Sequence, residues 1–357
     1  MKIKSITPYL KKLALTKPYT IAYSTFYDVE LVFLEIEIEN GIVGLGSASP
    51  AEEVIGENSQ QTLQNLQSEF VQGLVGRDIR HFRQIIFETH QHFPLLAGTQ
   101  AAIDLALHDA FGKFLDIPII DFYGQKIKFL PTSVTIGILG VNETLEEAKN
   151  YAQLGFKVIK VKTGIDVEED IERIIRLHEI YKNNLKIRVD ANQGYNLEQL
   201  KKFLIETAKT DLELIEQPLK VGQESDLFAL SSQECKLLTA DESLKNAKSA
   251  LAFSAIHQPF GIFNIKLMKC GGILGALEIA NIAQQANIDL FWGCNDESIA
   301  SITAALHVAY SCKNTRYLDL DGSFDLAEDL VTGGFTLEDG FLKINQKAGF
   351  GYEKILS

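Results

Sequence analysis

Lys157-Val158-Ile159-Lys160-Val161-Lys162 is followed by Thr163-Gly164 and, from Asp166, by a helical run. The six residues read as a β-strand, in which side chains alternate between faces. Val158, Lys160 and Lys162 share one face, Ile159 and Val161 the other. A strand that feeds a helix normally belongs to a parallel sheet covered on both faces. Two ammonium groups in such a strand are costly unless they line a polar cavity. The competing reading is an edge strand with two solvated lysines, and the rest of the chain separates the two.

From about Leu130 the same strand–loop–helix texture recurs. Strand ends fall near Gly137, Lys162, Asp190, Glu216, Ala240, Lys266, Phe291 and Leu318. Helical patterns between them cover Glu143–Leu154, Val167–Tyr181, Leu197–Thr207, Glu224–Ser231, a short run from Leu244, Gly275–Ala286 and Ser298–Tyr310. Units of roughly 25–30 residues in this order predict a (β/α)-type barrel of about 250 residues or slightly less. An open doubly wound sheet is the alternative, but no Gly-x-Gly-x-x-Gly turn follows a first strand.

Ahead of the barrel, Glu30–Glu39 alternates, with Leu31 and Phe33 opposing Val32, Leu34, Ile36 and Ile38. Asn40-Gly41 and then Ile42–Gly46 follow, and an Asn-Gly between two strand-like runs signals a hairpin. Helical patterns come next at roughly 59–75, 79–93 and 98–114. Strands followed by helices predict an α+β domain. Pro18–Asp28 and Ser49–Asn58 read as loops near the hairpin and are natural lids. Asp104 and His108, at helical spacing, read as a local polar contact; His90 and His92, two apart, make a poor helical metal site. Thr332–Ser357 contains Asp339-Gly340 and a short strand, and is expected to fold back onto the first domain. The expected units are residues 1–125, 126–325 and 326–357.

A net charge of −13 argues against nucleic acid or an anionic membrane as the main partner. Cys235, Cys270, Cys294 and Cys312 are scattered without a C-x-x-C pair, which favours reduced thiols over disulfides or a zinc site. Met1–Ser5 begins a strand-like alternation without an apolar leader, and no run is long enough to cross a bilayer. A cytoplasmic protein is therefore expected. A small-molecule substrate is the expected partner, with a homo-oligomer left open.

In such barrels the active site lies at the C-terminal ends of the strands. Asp190, Glu216 and Asp241 end three consecutive strands. Three hard oxygen ligands without His or Cys suit Mg²⁺. Each carboxylate alone could cap the following helix, but like charges gathered at one mouth repel without a cation. Lys162 and Lys266 end the second and sixth strands, on opposite sides of the ring. One amine on each face of a chelated substrate is what a two-base proton transfer at a stereocentre requires. Lys160, on the same face as Lys162, adds positive charge beside a substrate carboxylate. Gly271-Gly272 reads as a tight loop, since no phosphate-binding Lys-Ser/Thr follows.

Lys-x-Lys at 160–162, Asp-x-Asn at 190–192, Glu-Gln-Pro at 216–218, Ala-Asp-Glu-Ser at 240–243 and Asn-Ile-Lys at 264–266 together resemble the enolase superfamily. More narrowly, they resemble its muconate lactonizing enzyme subgroup. The resemblance spans the chain. It implies a modified TIM barrel, (β/α)7β-like, with an α+β capping domain built from the N-terminal part and the C-terminal tail. It also implies Asp190, Glu216 and Asp241, rather than Glu242, as Mg²⁺ ligands. Lys162 and Lys266 would be the acid/base pair and Lys160 an electrostatic partner.

The subgroup includes cycloisomerases, o-succinylbenzoate synthases, N-acylamino acid racemases and dipeptide epimerases. Asp319-Leu320-Asp321 puts two carboxylates on one strand face, which suits a free α-ammonium and would repel a dianion. It resembles the dipeptide epimerase signature; a capped strand end with a turn at Asp321-Gly322 is the plainer reading. The expected activity is Mg²⁺-dependent inversion of the C-terminal α-carbon of L-Ala-L-Glu or a related dipeptide. Ser24, Thr135, Asp296 and Glu297 are further candidate substrate contacts. Two departures bear on the side chain. Tyr19–Asp28 has no Arg or Lys to hold a Glu, with Ser24 standing about there; Tyr19, Tyr23 and Phe26 could contact an apolar side chain or merely anchor the lid. The family's usual Gly-Cys-Met-x-Glu-Ser reads Gly293-Cys294-Asn295-Asp296-Glu297-Ser298. An uncharged or cationic second residue therefore stays open. The rivals are another subgroup reaction on the same scaffold and a non-catalytic binding protein.

Overall fold

Thr132 and Leu318 form the parallel bridge that nearly closes an eight-stranded parallel sheet into a barrel. The computed structural model describes residues 1–21 and 24–355, without the side chains of residues 18–26 and 183. An antiparallel sheet comes first: β1 (Ile3–Ile21), β2 (Ser24–Ile38) and β3 (Val43–Ala48). Gly41, at φ +82°, makes the turn into β3 that the Asn-Gly pair predicted. Helices α1 (Glu52–Ile55), α2 (Ser59–Leu66), α3 (Glu69–Gln72), α4 (Phe82–His92), α5 (Ala97–Leu115) and α6 (Ile119–Tyr123) follow.

Pro18–Asp28 departs from the expected loop. Its backbone continues the hairpin, with Tyr19 paired to Phe26 and Ile21 to Ser24. The register shifts between Ala14 and Tyr19, where Leu15 instead bridges Leu326. The polar residues are thus paired within the hairpin rather than left as a connection. The side chains of Tyr19, Ser24 and Phe26, and Tyr23 altogether, lie outside the described residues.

The barrel takes its strands in sequence order. After β4 (Leu130–Pro131), which lies outside the barrel sheet, the chain runs through β5 (Ser133–Ile136), α7 (Val141–Gln153), β6 (Val158–Lys162), α8 (Val167–Tyr181), β7 (Lys186–Asp190), α9 (Leu197–Glu206) and β8 (Leu214–Glu216). It continues with α10 (Ser232–Cys235), β9 (Leu238–Ala240), α11 (Ala247–Phe253), β10 (Ile262–Ile265), α12 (Leu267–Cys270), α13 (Ile273–Gln285), β11 (Asp289–Trp292), α14 (Ile299–Ser311) and β12 (Thr315–Leu318). Strands β5 to β12 form the barrel sheet. The helix expected over Glu224–Ser231 is a 3-10 turn, Glu224–Ala229, because Ser231 and Glu234 form a capping box that starts α10 afresh. Among the described residues no helix is long and apolar enough to cross a membrane.

The tail divides. Strands β13 (Val331–Gly333), β14 (Phe335–Glu338), β15 (Phe341–Ile344) and β16 (Tyr352–Lys354) complete the chain, and β15 pairs with β4 below the barrel. Phe350, near the end of the tail, lies against α5: its N–H donates to Asp109 Oδ1 at 3.1 Å.

Helix α5 is buried along nearly its whole length, as a helix apolar on all sides must be. Gly46 lets β3 press against it; a Cβ there would stand 2.1 Å from Ala102 O. Its polar residues serve its neighbours. Asp104 accepts from Ile273 and Leu274 N–H at 3.0 and 3.1 Å, capping α13, with His108 beside it at 2.9 Å. The local contact expected of the pair thus also joins cap to barrel. Likewise His90 Nε2 lies 3.0 Å from Gly271 O. Asp109 also accepts from Leu45 N–H at 3.0 Å and Lys113 Nζ at 2.7 Å. Asp109→Ala leaves the buried Leu45 and Phe350 N–H groups without this acceptor and should cost about 3 kcal/mol, read as a lower urea midpoint with unchanged m-value.

Candidate active site

Parallel pairing sets the strand ends side by side. Lys162 is in register with Asp190, and Asp190 with Glu216. Lys160 is buried among the carboxylates, with its Nζ against Asp319, 3.3 Å from Glu216 Oε2 and 3.4 Å from Asp190 Oδ2. Lys162 Nζ stands 2.7 Å from Asp190 Oδ2 and 2.9 Å from Asn192 Oδ1. Lys266, expected as the end of a strand, caps α12, and its Nζ is 3.0 Å from Asp241 Oδ2. The two lysines of β6 therefore line a polar cavity, and the solvated-edge reading falls.

Several contributors had no role assigned to them from the sequence, although Asn264 and Gln217 stand within the quoted motifs. Lys269, one turn after Lys266, contacts the other Asp241 oxygen, and its Nζ donates to Asn264 O at 3.1 Å. Asn264 Nδ2 donates to Glu216 Oε1 at 2.5 Å. Gln217 Oε1 accepts from Asp241 N–H at 2.9 Å, tying the fourth strand end to the fifth. Arg188 lies beneath, between the Phe291 and Tyr317 rings at 5.4 and 5.1 Å. It donates to Ser133 Oγ at 3.1 Å, and Ser133 donates to Asp319 Oδ1 at 2.6 Å. For Lys269, the Lys-x-x-Lys spacing from 266 to 269 was the one available clue.

Burial disfavours every charge here, and the neighbours decide the outcome. For Asp190, Lys162 and Lys160 overcome burial and hold the carboxyl below its usual range. Lys266 and Lys269 do the same for Asp241. Glu216 is pushed up to about 8 by burial and by Asp190. Burial lowers the Lys266 ammonium, but Asp241 and Glu216 outweigh it and hold it above the usual range. The same balance, led by Asp319, raises Lys160.

These acids suit a hard divalent cation, which would let Glu216 ionise. Among the described residues no acidic or imidazole cluster is already closed around a metal position; the lysines stand between the carboxylates.

The cavity above has a volume of about 430 Å³, room for a small peptide. Thr135, Asp296, Asp319 and Asp321 line it, as do Glu53 of the cap and Asp325. Thr135 N–H donates to Asp321 Oδ2 at 2.8 Å. Burial and Asp319 push Asp321 up to about 7; burial and Asp321 push Asp296 up to about 6. Glu297 is buried and does not line the cavity; its Oε1 accepts from Asn295 N–H at 2.9 Å.

Residues 5–124 match the family described as mandelate racemase / muconate lactonizing enzyme, N-terminal domain. Residues 143–354 match the enolase C-terminal domain-like family. The chain belongs to the enolase superfamily. Within the superfamily it is 49% identical over 99% of its length to L-Lys-D/L-Arg epimerase of Desulforapulum autotrophicum, all of which is covered. It is 34% identical over 98% of its length to hydrophobic dipeptide epimerase of Enterococcus faecalis, with 99% of that protein covered. A crystal structure of dipeptide epimerase from Methylococcus capsulatus, complexed with Mg and L-Arg-D-Lys, matches with a TM-score of 0.96. The identity is 44%, with 99% of each chain covered. These enolase-superfamily relatives are isomerases that act on amino acid derivatives.

A divalent cation at a hundredfold excess over its Kd should stabilise the protein by about 2.7 kcal/mol. Glu216→Gln should remove most of that gain in a thermal scan with and without Mg²⁺.

Proposed function

We propose that this protein is a Mg²⁺-dependent dipeptide epimerase acting on dipeptides with Lys or Arg side chains. Asp190, Glu216 and Asp241 hold the ion, which supplies positive charge to the substrate carboxylate as its α-proton leaves. Lys160 adds charge at the same carboxylate. Lys162 and Lys266 work from opposite faces: one amine takes the α-proton of the C-terminal residue, and the opposite ammonium returns one. Asp319 and Asp321 hold the free α-ammonium of the substrate.

One observation carries the side-chain preference. Lys160, Lys162 and Lys266 are already paired with Asp319, Asp190 and Asp241, while Glu53, Asp296 and Asp325 also face the cavity. A Glu side chain would add another anion to that wall, whereas a cation would offset it. The relative of 49% identity is named for Lys and Arg. Both points favour a cationic substrate over L-Ala-L-Glu.

Solvent-deuterium uptake into a dipeptide library, with and without Mg²⁺, tests the reading. Metal-dependent gain of one deuterium, fastest in Lys- and Arg-containing members, is expected. No exchange in any dipeptide would sink it in favour of N-acyl or cycloisomerase substrates, or of a binding role. Lys162→Ala and Lys266→Ala should each lower epimerisation by about 10²–10⁴-fold, with one variant still exchanging the α-proton of a single stereoisomer. Normal epimerisation by both would refute the two-lysine mechanism. Acid should weaken binding. As pH falls from about 8 to about 5.5, Asp321 and then Asp296 protonate and lose their pull on a cation, so KM for a cationic dipeptide should rise roughly tenfold. A pH-independent KM would remove these carboxylates from substrate binding.

A further inference from the structure

Ser49 is where the cap grips two barrel loops at once. It follows β3 and leads into Ala51–Val54, from which Ala51, Glu53 and Val54 line the cavity. Its N–H donates to Met268 Sδ at 3.2 Å, and its hydroxyl donates to Asp296 O at 2.8 Å. Its carbonyl accepts from Asn295 Nδ2 at 3.0 Å. Every polar group of Ser49 is thus directed at α12 or at the loop after β11.

Asn295 is itself fixed on the barrel side. Its N–H donates to Glu297 Oε1 at 2.9 Å. Gly322 packs flush on its carbonyl, since a Cβ at 322 would stand 1.9 Å from Asn295 O. The loop therefore rests directly against the residue next to Asp321. A methionine, the residue of the related motif at this position, has no side-chain N–H to offer Ser49 O.

We propose that Asn295 is a positioning residue for side-chain selectivity. By holding Ser49 O, its amide seats the cap segment that carries Glu53 beside the loop that carries Asp296. Two carboxylates, one from the cap and one from the barrel, then meet the same cationic side chain. The Asn295 side chain need not touch the substrate to do this. The role rests on the cationic-dipeptide reading and adds to it which contact keeps the acidic wall assembled.

The test uses the Mg²⁺-loaded full chain and two substrates, one dipeptide of Lys and Arg and one with neutral side chains. Asn295→Met and Asn295→Ala should lower the cationic-to-neutral ratio of kcat/KM about tenfold, the factor for loss of one hydrogen bond of ordinary strength. The fall should come through KM for the cationic dipeptide. Amide hydrogen exchange over residues 49–58 should quicken in the same variants. Ser49→Ala, which keeps the carbonyl contact but loses the hydroxyl, should shift the ratio the same way by less. If Asn295→Met does not fold, Asn295→Ala carries the measurement. A merely structural tie would lower Tm and leave the ratio within about twofold of wild type, and that result would overturn the role of Asn295. A wild-type enzyme with no cationic preference would instead overturn the substrate reading on which the role rests.

Discussion

Carboxylates drawn together away from water repel one another, and the barrel mouth is arranged around that repulsion. Parallel register forces it: Asp190 and Glu216 end paired strands, and Asp241 follows on the next. Lysines offset it. Lys160 sits among Asp319, Glu216 and Asp190, Lys162 on Asp190, and Lys266 and Lys269 on the two oxygens of Asp241. Such pairs are poor sources of net stability, because desolvation cancels most of the attraction. Their value is positional. Each amine that could move a proton is held by the carboxylate that could hold a metal, so the two functions share one lattice of contacts. Of Asp190, Glu216 and Asp241, Glu216 is the one pushed up, because burial and the neighbouring Asp190 outweigh Lys160 and Lys266 there.

The cap extends the same logic away from the mouth. Asp104, Asp109 and Glu57 are fully buried, and each directs its oxygens at backbone N–H groups of a different neighbour. Asp104 reaches the start of α13, and Asp109 reaches β3 and the returning tail. Glu57 accepts from Gly98 and Thr99 at the start of α5, at 2.8 and 3.1 Å. A carboxylate at a helix N-terminus meets unsatisfied donors and a favourable dipole. The cap is thereby tied to the segment just after Lys266, so the cavity wall it contributes does not depend on loop packing alone.

What could be read beforehand followed periodicity. Strand alternation places Lys160 and Lys162 on one face, and the ends at Asp190, Glu216 and Leu318 coincide with the observed termini. Asp104 and His108 could be paired by helical spacing, but not their partner, because α13 lies far along the chain. Lys269 and Arg188 escaped because nothing local distinguishes a buried cation from a surface one; burial is set by strands contributed elsewhere. Glu53 and Asp325 escaped for the same reason, since only the folded cavity brings them near Asp296. The hairpin over Pro18–Asp28 was missed because each strand's evidence was its partner, a contact without local signature.

In the proposed reaction, chemistry and selectivity fall to different parts of this architecture, and the charge balance explains why. The strand-end lysines and carboxylates form a closed set, so altering one strands another buried charge. The wall residues are not so bound. Glu53 is exposed and Asp296 half-buried, on the cap segment and on the loop after β11. Changing a partly solvated carboxylate disturbs no buried partner and costs the fold little. On that proposal, side-chain preference can shift on this scaffold while the lysines and carboxylates at the strand ends are kept. Relatives at 49%, 34% and 30% identity are named for Lys/Arg, hydrophobic and Ala/Glu dipeptides. The condition on such freedom is that wall residues from two separate units remain in register with each other. That requires a contact across the cap–barrel boundary, and Ser49 with Asn295 is where this chain makes one.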